Sequence, residues 1–299
     1  MKMNFDGAKL FLGWLQGDSG MDELLQHPAY QTIFEHSRQF AAGLTPEDIK
    51  MALRQEPSPF FGLRGLQENL PAIKATLCRL EAQQESLLSQ TAAALQAFFV
   101  PEDLEEITVY PVIGYDVGIG LHRQVPMNLN YAGYLKYENE FLYMMMHECF
   151  HAAYEKYQSV PDLKAAKTKA QWLQMLYWAL QNEGYATYSS LHARLSAGIE
   201  PDPSCFTIKD YLVLQDSLQL EQTIDSFLQS LDKTAAGAEQ AAEEWLDLIF
   251  GQHRYAYRVG CALIQRIEQT YGRAAVKAAL FQQPAVFYRQ YRDLLAEKK

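Results

Sequence analysis

Residues 141–154 (FLYMMMHECFHAAY) contain one carboxylate and neither lysine nor arginine. Apart from the two histidines and this carboxylate, all positions carry apolar or aromatic side chains. A helix formed by this stretch would therefore be buried on all sides. His147 and His151 are four residues apart, which places both imidazoles on one helix face, one turn apart. Buried imidazoles need partners, because buried polar groups are hydrogen-bonded or bind a ligand. The stretch therefore predicts a buried helix whose two histidines share a partner.

The spacing of these histidines suits a metal ion. Ring nitrogens four residues apart on a helix can converge on one point, as zinc requires with Zn–N distances of about 2.0–2.1 Å. Glu148 is rotated by about 100° from His147 around the helix axis. Its carboxylate can therefore reach the water that such a metal activates without binding the metal, which is the logic of H-E-x-x-H metallohydrolases. The alternative is two histidines satisfied by hydrogen bonds in a packed core.

A catalytic zinc needs a third protein ligand and an open position. In metzincins a glycine and a third histidine would stand where this chain has Tyr154 and Tyr157, so that class is excluded. A carboxylate from a later helix is the remaining common choice, and Glu183 is the best candidate. It follows His151 by 32 residues, which suits a helix, a loop and a second helix. Glu155 is expected to accept a hydrogen bond near the site or to lie at the surface.

The motif HECFH (residues 147–151), followed by NEGYA (residues 182–186), resembles the gluzincin class of zinc metallopeptidases. It is most similar to bacterial families of zinc-dependent peptidases. The resemblance covers residues 106–271 and implies a zincin-like fold, a peptide or protein substrate, and Glu148 as the general base. It implies three ligands for Zn²⁺: His147, His151 and Glu183. It also implies that a short sheet offers an edge strand to an extended substrate. Gluzincins often carry an aspartate where this chain has Thr187, which puts the hydrogen-bonding support of the zinc histidines in doubt.

Amide hydrolysis develops negative charge on the carbonyl oxygen, which a nearby tyrosine or histidine often helps to stabilise. Residues 253–260 (HRYAYRVG) are rich in such donors. Tyr257 is the first choice for this catalytic role, followed by Tyr255 and then His253. Gly260 would let the helix pack closely near the site. The alternative is an ordinary packing role, which most of the 18 tyrosines fill.

Most of the remaining sequence has helical periodicity. Thr45 followed by Pro46 and two acids is typical of a helix start. Residues 106–134 differ, because β-branched runs and glycines there predict two or three short antiparallel strands. The sequence thus predicts a mainly α (α+β) fold with one small antiparallel sheet before the active-site helix. Within one compact chain we expect a helical subdomain at residues 1–104 and the zincin-like catalytic region at residues 105–299.

Composition narrows the function classes further. Asp and Glu number 36 against 26 Lys and Arg, and a net charge of −10 argues against binding nucleic acid or an anionic membrane. No run of 18 apolar residues occurs, and the first residues lack a secretory pattern. The four cysteines are scattered without a C-x-x-C pair. We therefore expect a reduced, cytoplasmic protein with no nucleic-acid or membrane partner.

Two other classes compete with a metal-dependent hydrolase. A di-iron oxidoreductase would share the Glu148-x-x-His151 spacing, but the sequence contains no second Glu-x-x-His. A non-catalytic helical binding protein with a structural metal site would need a fourth protein ligand, usually cysteine. Cys149 leaves the helix on another side than the histidines. The hydrolase is the preferred hypothesis, and the binding protein is the alternative.

Overall fold

The computed structural model describes residues 1–18, 20–40, 43–162, 164–199, 201–202, 205–236 and 242–297. These residues are mainly helical, as the sequence predicted. They divide into two compact units, Met1–Lys156 and Tyr157–Lys299. The subdomain expected at residues 1–104 stays a prediction. No helix in the described ranges is both long enough and apolar enough to cross a membrane.

The first unit combines a short sheet with helices. Its strands are β1 (Lys2–Met3), β2 (Thr108–Val112) and β3 (Gln124–Asn128). Its helices are α1 (Asp6–Gln16), α2 (Met21–Gln26), α3 (Pro28–Phe40), α4 (Pro46–Leu53), α5 (Leu66–Leu95), α6 (Pro101–Leu104), α7 (Ala132–Lys136) and α8 (Glu140–Tyr154). α1 packs on β2 and α3 on β3, while α8 packs on β3 and on α5. The sheet and α5 therefore hold the helix that carries the two histidines.

The sheet is parallel, so the prediction of an antiparallel sheet is wrong. β2 lies in the middle, and its Val109 stands opposite Met3 of β1 and Val125 of β3. The reason lies in the connection from β2 to β3, where residues 117–121 run back along the outer side of β3. They form isolated antiparallel bridges with β3 rather than a strand. The chain then turns again into β3, which consequently runs in the direction of β2.

A two-residue turn joins this returning segment to β3. Leu121 and Gln124 exchange backbone hydrogen bonds of 3.0 and 2.8 Å. Between them His122 and Arg123 have φ values of +48° and +60°. Two left-handed residues make a type I′ turn, which matches strand twist but strains side chains other than glycine. Glu155, at the end of α8, accepts a hydrogen bond of 2.6 Å from the His122 backbone N–H and so secures the turn.

The second unit is helical throughout its described part. Its helices are α9 (Lys169–Ala197), α10 (Phe206–Gln215), α11 (Ser217–Ala236), α12 (Ala242–Phe250), α13 (Tyr255–Tyr271), α14 (Arg273–Leu280) and α15 (Pro284–Tyr291), followed by a 3₁₀ helix at Arg292–Leu295. α9 and α13 pack together along much of their lengths. A Cβ added to Gly184 would lie 2.5 Å from the carbonyl carbon of Gly260, and one added to Gly260 would lie 2.2 Å from the Leu180 oxygen. These glycines therefore let the two backbones touch.

Residues next to two helices account for where these helices begin or end. α4 begins at Pro46, and the Thr45 backbone N–H donates a 2.7 Å hydrogen bond to the Asp48 carboxylate. That bond satisfies one of the donors that a helix start leaves unpaired. α13 ends at Tyr271, where Gly272 adopts φ +80°. The helix start predicted at Thr45 is confirmed.

Candidate metal centre

α8 presents its two histidines at a spacing that fits a metal ion. The Nε2 atoms of His147 and His151 lie 3.1 Å apart, and the ring planes make an angle of 81°. Two ligand atoms each about 2.05 Å from a tetrahedral metal would be separated by about 3.3 Å. Every residue of α8 except His151 is buried, so the buried helix predicted from the sequence is confirmed. The ring nitrogens thus already have nearly the separation that a shared ion requires.

A carboxylate from α9 belongs to the same group. The ligand atoms of His147, His151 and Glu183 all lie within 4.8 Å of one another and could hold a metal ion. Two imidazole nitrogens and a carboxylate oxygen form a donor set that suits zinc. Within the described ranges, no other set of three histidine, cysteine, aspartate or glutamate side chains comes together in this way. The three are the residues that the sequence predicted, and their role as ligands stays a prediction.

Glu148 lies on the side of α8 that residues 117–121 cover. A Cβ added to Gly118 would be 2.6 Å from Cγ of Glu148 and 3.1 Å from its Oε1. One added to Gly120 would be 2.1 Å from the Glu148 backbone oxygen and 2.8 Å from Cβ of His151. The two glycines therefore let the backbone lie directly on α8. This role was not predicted from the sequence, where its only signal was two glycines separated by one residue in a β-rich run.

The segment over α8 leaves one edge turned away from the sheet. The Ile119 N–H donates to Pro126 at 3.0 Å, and the Val117 oxygen accepts from the Asn128 N–H at 3.1 Å. Because backbone groups alternate along an extended chain, those of Gly118 and Gly120 point away from β3. Both glycines are only half-buried. An edge with strand geometry thus lies beside Glu148.

Two titratable side chains border the histidines on α8. Burial raises the pKa of the Cys149 thiol far above its usual range, so the thiol stays protonated and is a poor nucleophile or ligand. None of the four cysteines, all of which lie in the described ranges, forms a disulfide bond. Burial also raises the pKa of the Glu155 carboxyl, against the opposing effects of the His122 N–H and of His151. The Glu155 carboxylate accepts its hydrogen bond from the His122 backbone N–H, and its expected role beside the metal site stays a prediction.

Contacts at the start of α13 distinguish the predicted oxyanion donors. Tyr255 is buried, and its hydroxyl shares a 2.7 Å hydrogen bond with the Ser226 hydroxyl, as a packing residue would. His253 is exposed and stacks on Tyr255 with ring centroids 5.2 Å apart. Tyr257 is half-buried, and its ring centroid lies 3.6 Å from the guanidinium carbon of Arg254. These contacts favour Tyr257, whose catalytic role stays a prediction, as does that of Tyr255.

A cluster of charged residues near Glu183 was not predicted from the sequence either. Arg254 and Arg258 each donate from Nε to one oxygen of the Asp210 carboxylate, at 2.5 and 2.8 Å. Burial lowers the pKa of Arg254, but the charges of Asp210, Tyr257 and Glu183 outweigh it and raise that pKa above its ordinary value. In the sequence, the only signal was two arginines four residues apart on one helix. Their partner is more than forty residues earlier, where no spacing rule points to it.

The centre combines two histidines on one helix, a carboxylate as the third candidate ligand and a glutamate beside them. Metal-dependent hydrolases use this combination. Residues 21–299 match the family described as "Putative zinc dependent peptidase (DUF5700)". The match spans most of the chain, and the protein belongs to this family. No curated protein and no solved structure matches the chain. The resemblance to zinc-dependent peptidases is confirmed, while the narrower assignment to the gluzincins stays a prediction.

Proposed function

We propose that this protein is a zinc-dependent peptidase that hydrolyses amide bonds in a peptide substrate. The observation that carries the proposal is the convergence of the ligand atoms of His147, His151 and Glu183 within 4.8 Å. The 3.1 Å separation of the two imidazole nitrogens and the family description support it. A structural site would need a fourth protein ligand, and the grouping within the described residues has three. Nothing therefore favours the alternative of a non-catalytic binding protein.

Glu148 acts as the general base. His147, His151 and Glu183 would hold the zinc ion, which would act as a Lewis acid on the substrate carbonyl and lower the pKa of water toward about 7. Glu148 takes the proton from the attacking water and passes it to the leaving amine. Its place on α8 next to His147 supports this role, and the packing of Gly118 on its Cγ limits where its carboxylate can lie.

Tyr257 donates a hydrogen bond to the carbonyl oxygen on which negative charge develops. The guanidinium of Arg254, 3.6 Å from the ring centroid, restricts the orientation of this tyrosine. A cation over an aromatic ring is attracted by the ring's negative face. The half-buried ring is therefore accessible to a substrate and yet held in position.

Residues 117–121 bind the substrate backbone. The backbone groups of Gly118 and Gly120 that point away from β3 can pair with an extended peptide, as in other cases of strand addition. Their close packing against α8 brings a paired peptide near Glu148 and His151. The strand edge thus places an amide bond beside the general base.

Two substitutions test the proposal, with zinc content and cleavage of a peptide library measured for each. Glu148→Gln should keep one zinc per chain and lose about 10²- to 10⁴-fold in cleavage rate, because only the base is removed. Glu183→Gln should weaken zinc binding by more than about 100-fold, since it removes a ligand rather than a supporting contact. Glu243→Gln, at an exposed position of α12, is the matched control and should resemble the wild type. Undiminished cleavage by Glu148→Gln, or unchanged zinc affinity of Glu183→Gln, contradicts the assigned role.

A further inference from the structure

Arg254, at the start of α13, contacts one carboxylate and two aromatic rings. Its Nε donates to the Asp210 carboxylate at 2.5 Å, and its guanidinium carbon lies 3.6 Å from the Tyr257 ring centroid and 5.0 Å from that of Phe206. Its backbone has φ +50°, a conformation that costs free energy in a residue other than glycine. Structures retain such strain when the surroundings over-determine the position. The side chain is therefore pre-organised.

The cluster around Arg254 has an excess of positive charge. Arg258 donates to the second oxygen of Asp210 at 2.8 Å, and both of these residues are buried. One carboxylate therefore faces two guanidinium groups, which leaves one positive charge unbalanced. Glu183 is the further acid that acts electrostatically on Arg254. If Glu183 binds zinc, as proposed above, its charge is largely compensated by the metal.

The donors that Arg254 leaves unused suit an incoming carboxylate. A guanidinium has five N–H groups in a planar fork. Of the five N–H groups of Arg254, only that of Nε forms a hydrogen bond to a residue that the structure describes. The side chain is 20% exposed, so part of it is accessible to a ligand. Such a fork binds a carboxylate through two parallel hydrogen bonds.

We propose that Arg254 binds a carboxylate of the peptide substrate, namely the C-terminal one, so that the protein removes residues from the C-terminal end. The inference rests on the proposed function. Arg254 contacts Tyr257, the residue proposed to bind the carbonyl oxygen of the cleaved amide. Consecutive Cα atoms are about 3.8 Å apart. A carboxylate bound by the Arg254 guanidinium would therefore belong to a residue one or two positions from that amide. An acidic side chain of the substrate offers the same chemistry, and the experiment separates these two sources.

Binding rather than cleavage provides the test. Zinc-loaded Glu148→Gln protein is titrated in a calorimeter with a pooled set of N-acetylated tetrapeptides, prepared as free acids and as C-terminal amides. A third set consists of amides that carry an internal glutamate. We expect the free acids to bind about 10- to 100-fold more tightly than plain amides, as for a hydrogen-bonded charged group. Adding Arg254→Gln should abolish this preference, so that free acids and plain amides bind equally to the double variant.

Two further variants make the test decisive. Arg273→Gln removes an exposed arginine of α14 and should keep the preference for free acids. If Arg254→Gln does not fold, Arg254→Lys keeps the charge opposite Asp210 but lacks the fork, and should lower the preference severalfold.

Equal binding of free acids and plain amides by the Glu148→Gln protein overturns the proposal. A preference that depends on Arg254 but appears only with the internal glutamate overturns the C-terminal assignment. Since no cleavage is needed, failure of the wild-type enzyme to hydrolyse any peptide would refute the peptidase and not the carboxylate site.

Discussion

Replacing Gly118 with alanine should slow catalysis by about 100-fold while the metal stays bound. The added Cβ would lie 2.6 Å from Cγ of Glu148, whereas carbon atoms in contact are normally about 3.5–4.0 Å apart. The Glu148 side chain must therefore shift by about 1 Å, and its carboxylate moves with it. A misplacement of about 1 Å can cost about 100-fold in rate. That loss corresponds to about 2.7 kcal/mol in the activation free energy.

The assay compares peptide cleavage, zinc per chain and thermal unfolding in three proteins. Gly118→Ala should keep the zinc content of the wild type and lose about 100-fold in kcat/KM. Gly20→Ala is the matched control, because a Cβ there meets no atom within 4 Å and its φ is −79°. This control should behave as the wild type in all three measurements.

Gly120→Ala should differ from Gly118→Ala in a way that tests the same packing. Its Cβ would meet the Glu148 backbone oxygen at 2.1 Å, so α8 itself must move and both zinc affinity and stability should fall. If Gly118→Ala cleaves peptides within threefold of the wild-type rate at full zinc occupancy, Glu148 is not constrained by this segment. If Gly118→Ala loses zinc, as expected for Gly120→Ala, the added methyl group displaces the histidines rather than Glu148. Either result refutes the reasoning.

Three more predictions concern packing, pH and metal. Gly260→Ala would place a Cβ 2.2 Å from the Leu180 oxygen and should lower the free energy of unfolding by about 1–3 kcal/mol, measured in urea; a change below about 0.5 kcal/mol contradicts the backbone contact. Burial lowers the pKa of His27 despite the opposing charge of Asp6, so the unfolded chain binds this proton more readily. The free energy of unfolding should accordingly fall as the pH drops below about 6.5. In denaturation experiments at pH 7.5 and 5, His27→Gln should lose this pH dependence. If the variant keeps it, other groups cause the pH dependence. Zinc at about 100 times its dissociation constant should stabilise the wild type by about 2.7 kcal/mol, and identical melting with and without zinc argues against the centre.

The part of the candidate site that follows from local geometry could be predicted. The four-residue spacing of His147 and His151 has the same meaning in any helix, and the apolar residues around them indicated burial. Glu183 followed from the donor chemistry of zinc together with the family resemblance. Thr45 marked the start of a helix correctly, because capping depends on neighbouring residues.

The direction of the sheet could not be predicted in the same way. The glycines and β-branched residues of segment 106–134 indicated short strands, but the antiparallel pairing predicted for them was wrong. Whether β3 then pairs with β2 in parallel depends on which edge the returning segment occupies. The tertiary structure also shows that Gly118 and Gly120 allow a backbone to lie on α8.

From its own spacing the sequence determined a buried helix with two imidazoles one turn apart and a carboxylate beside them, since these relations repeat every few residues. Only the tertiary structure decided that the sheet is parallel, that Gly118 touches Glu148, and that Arg254 meets Asp210. Such contacts join residues tens of positions apart, and their geometry depends on how whole elements pack. No local period encodes that packing, because the positions of the intervening turns determine it.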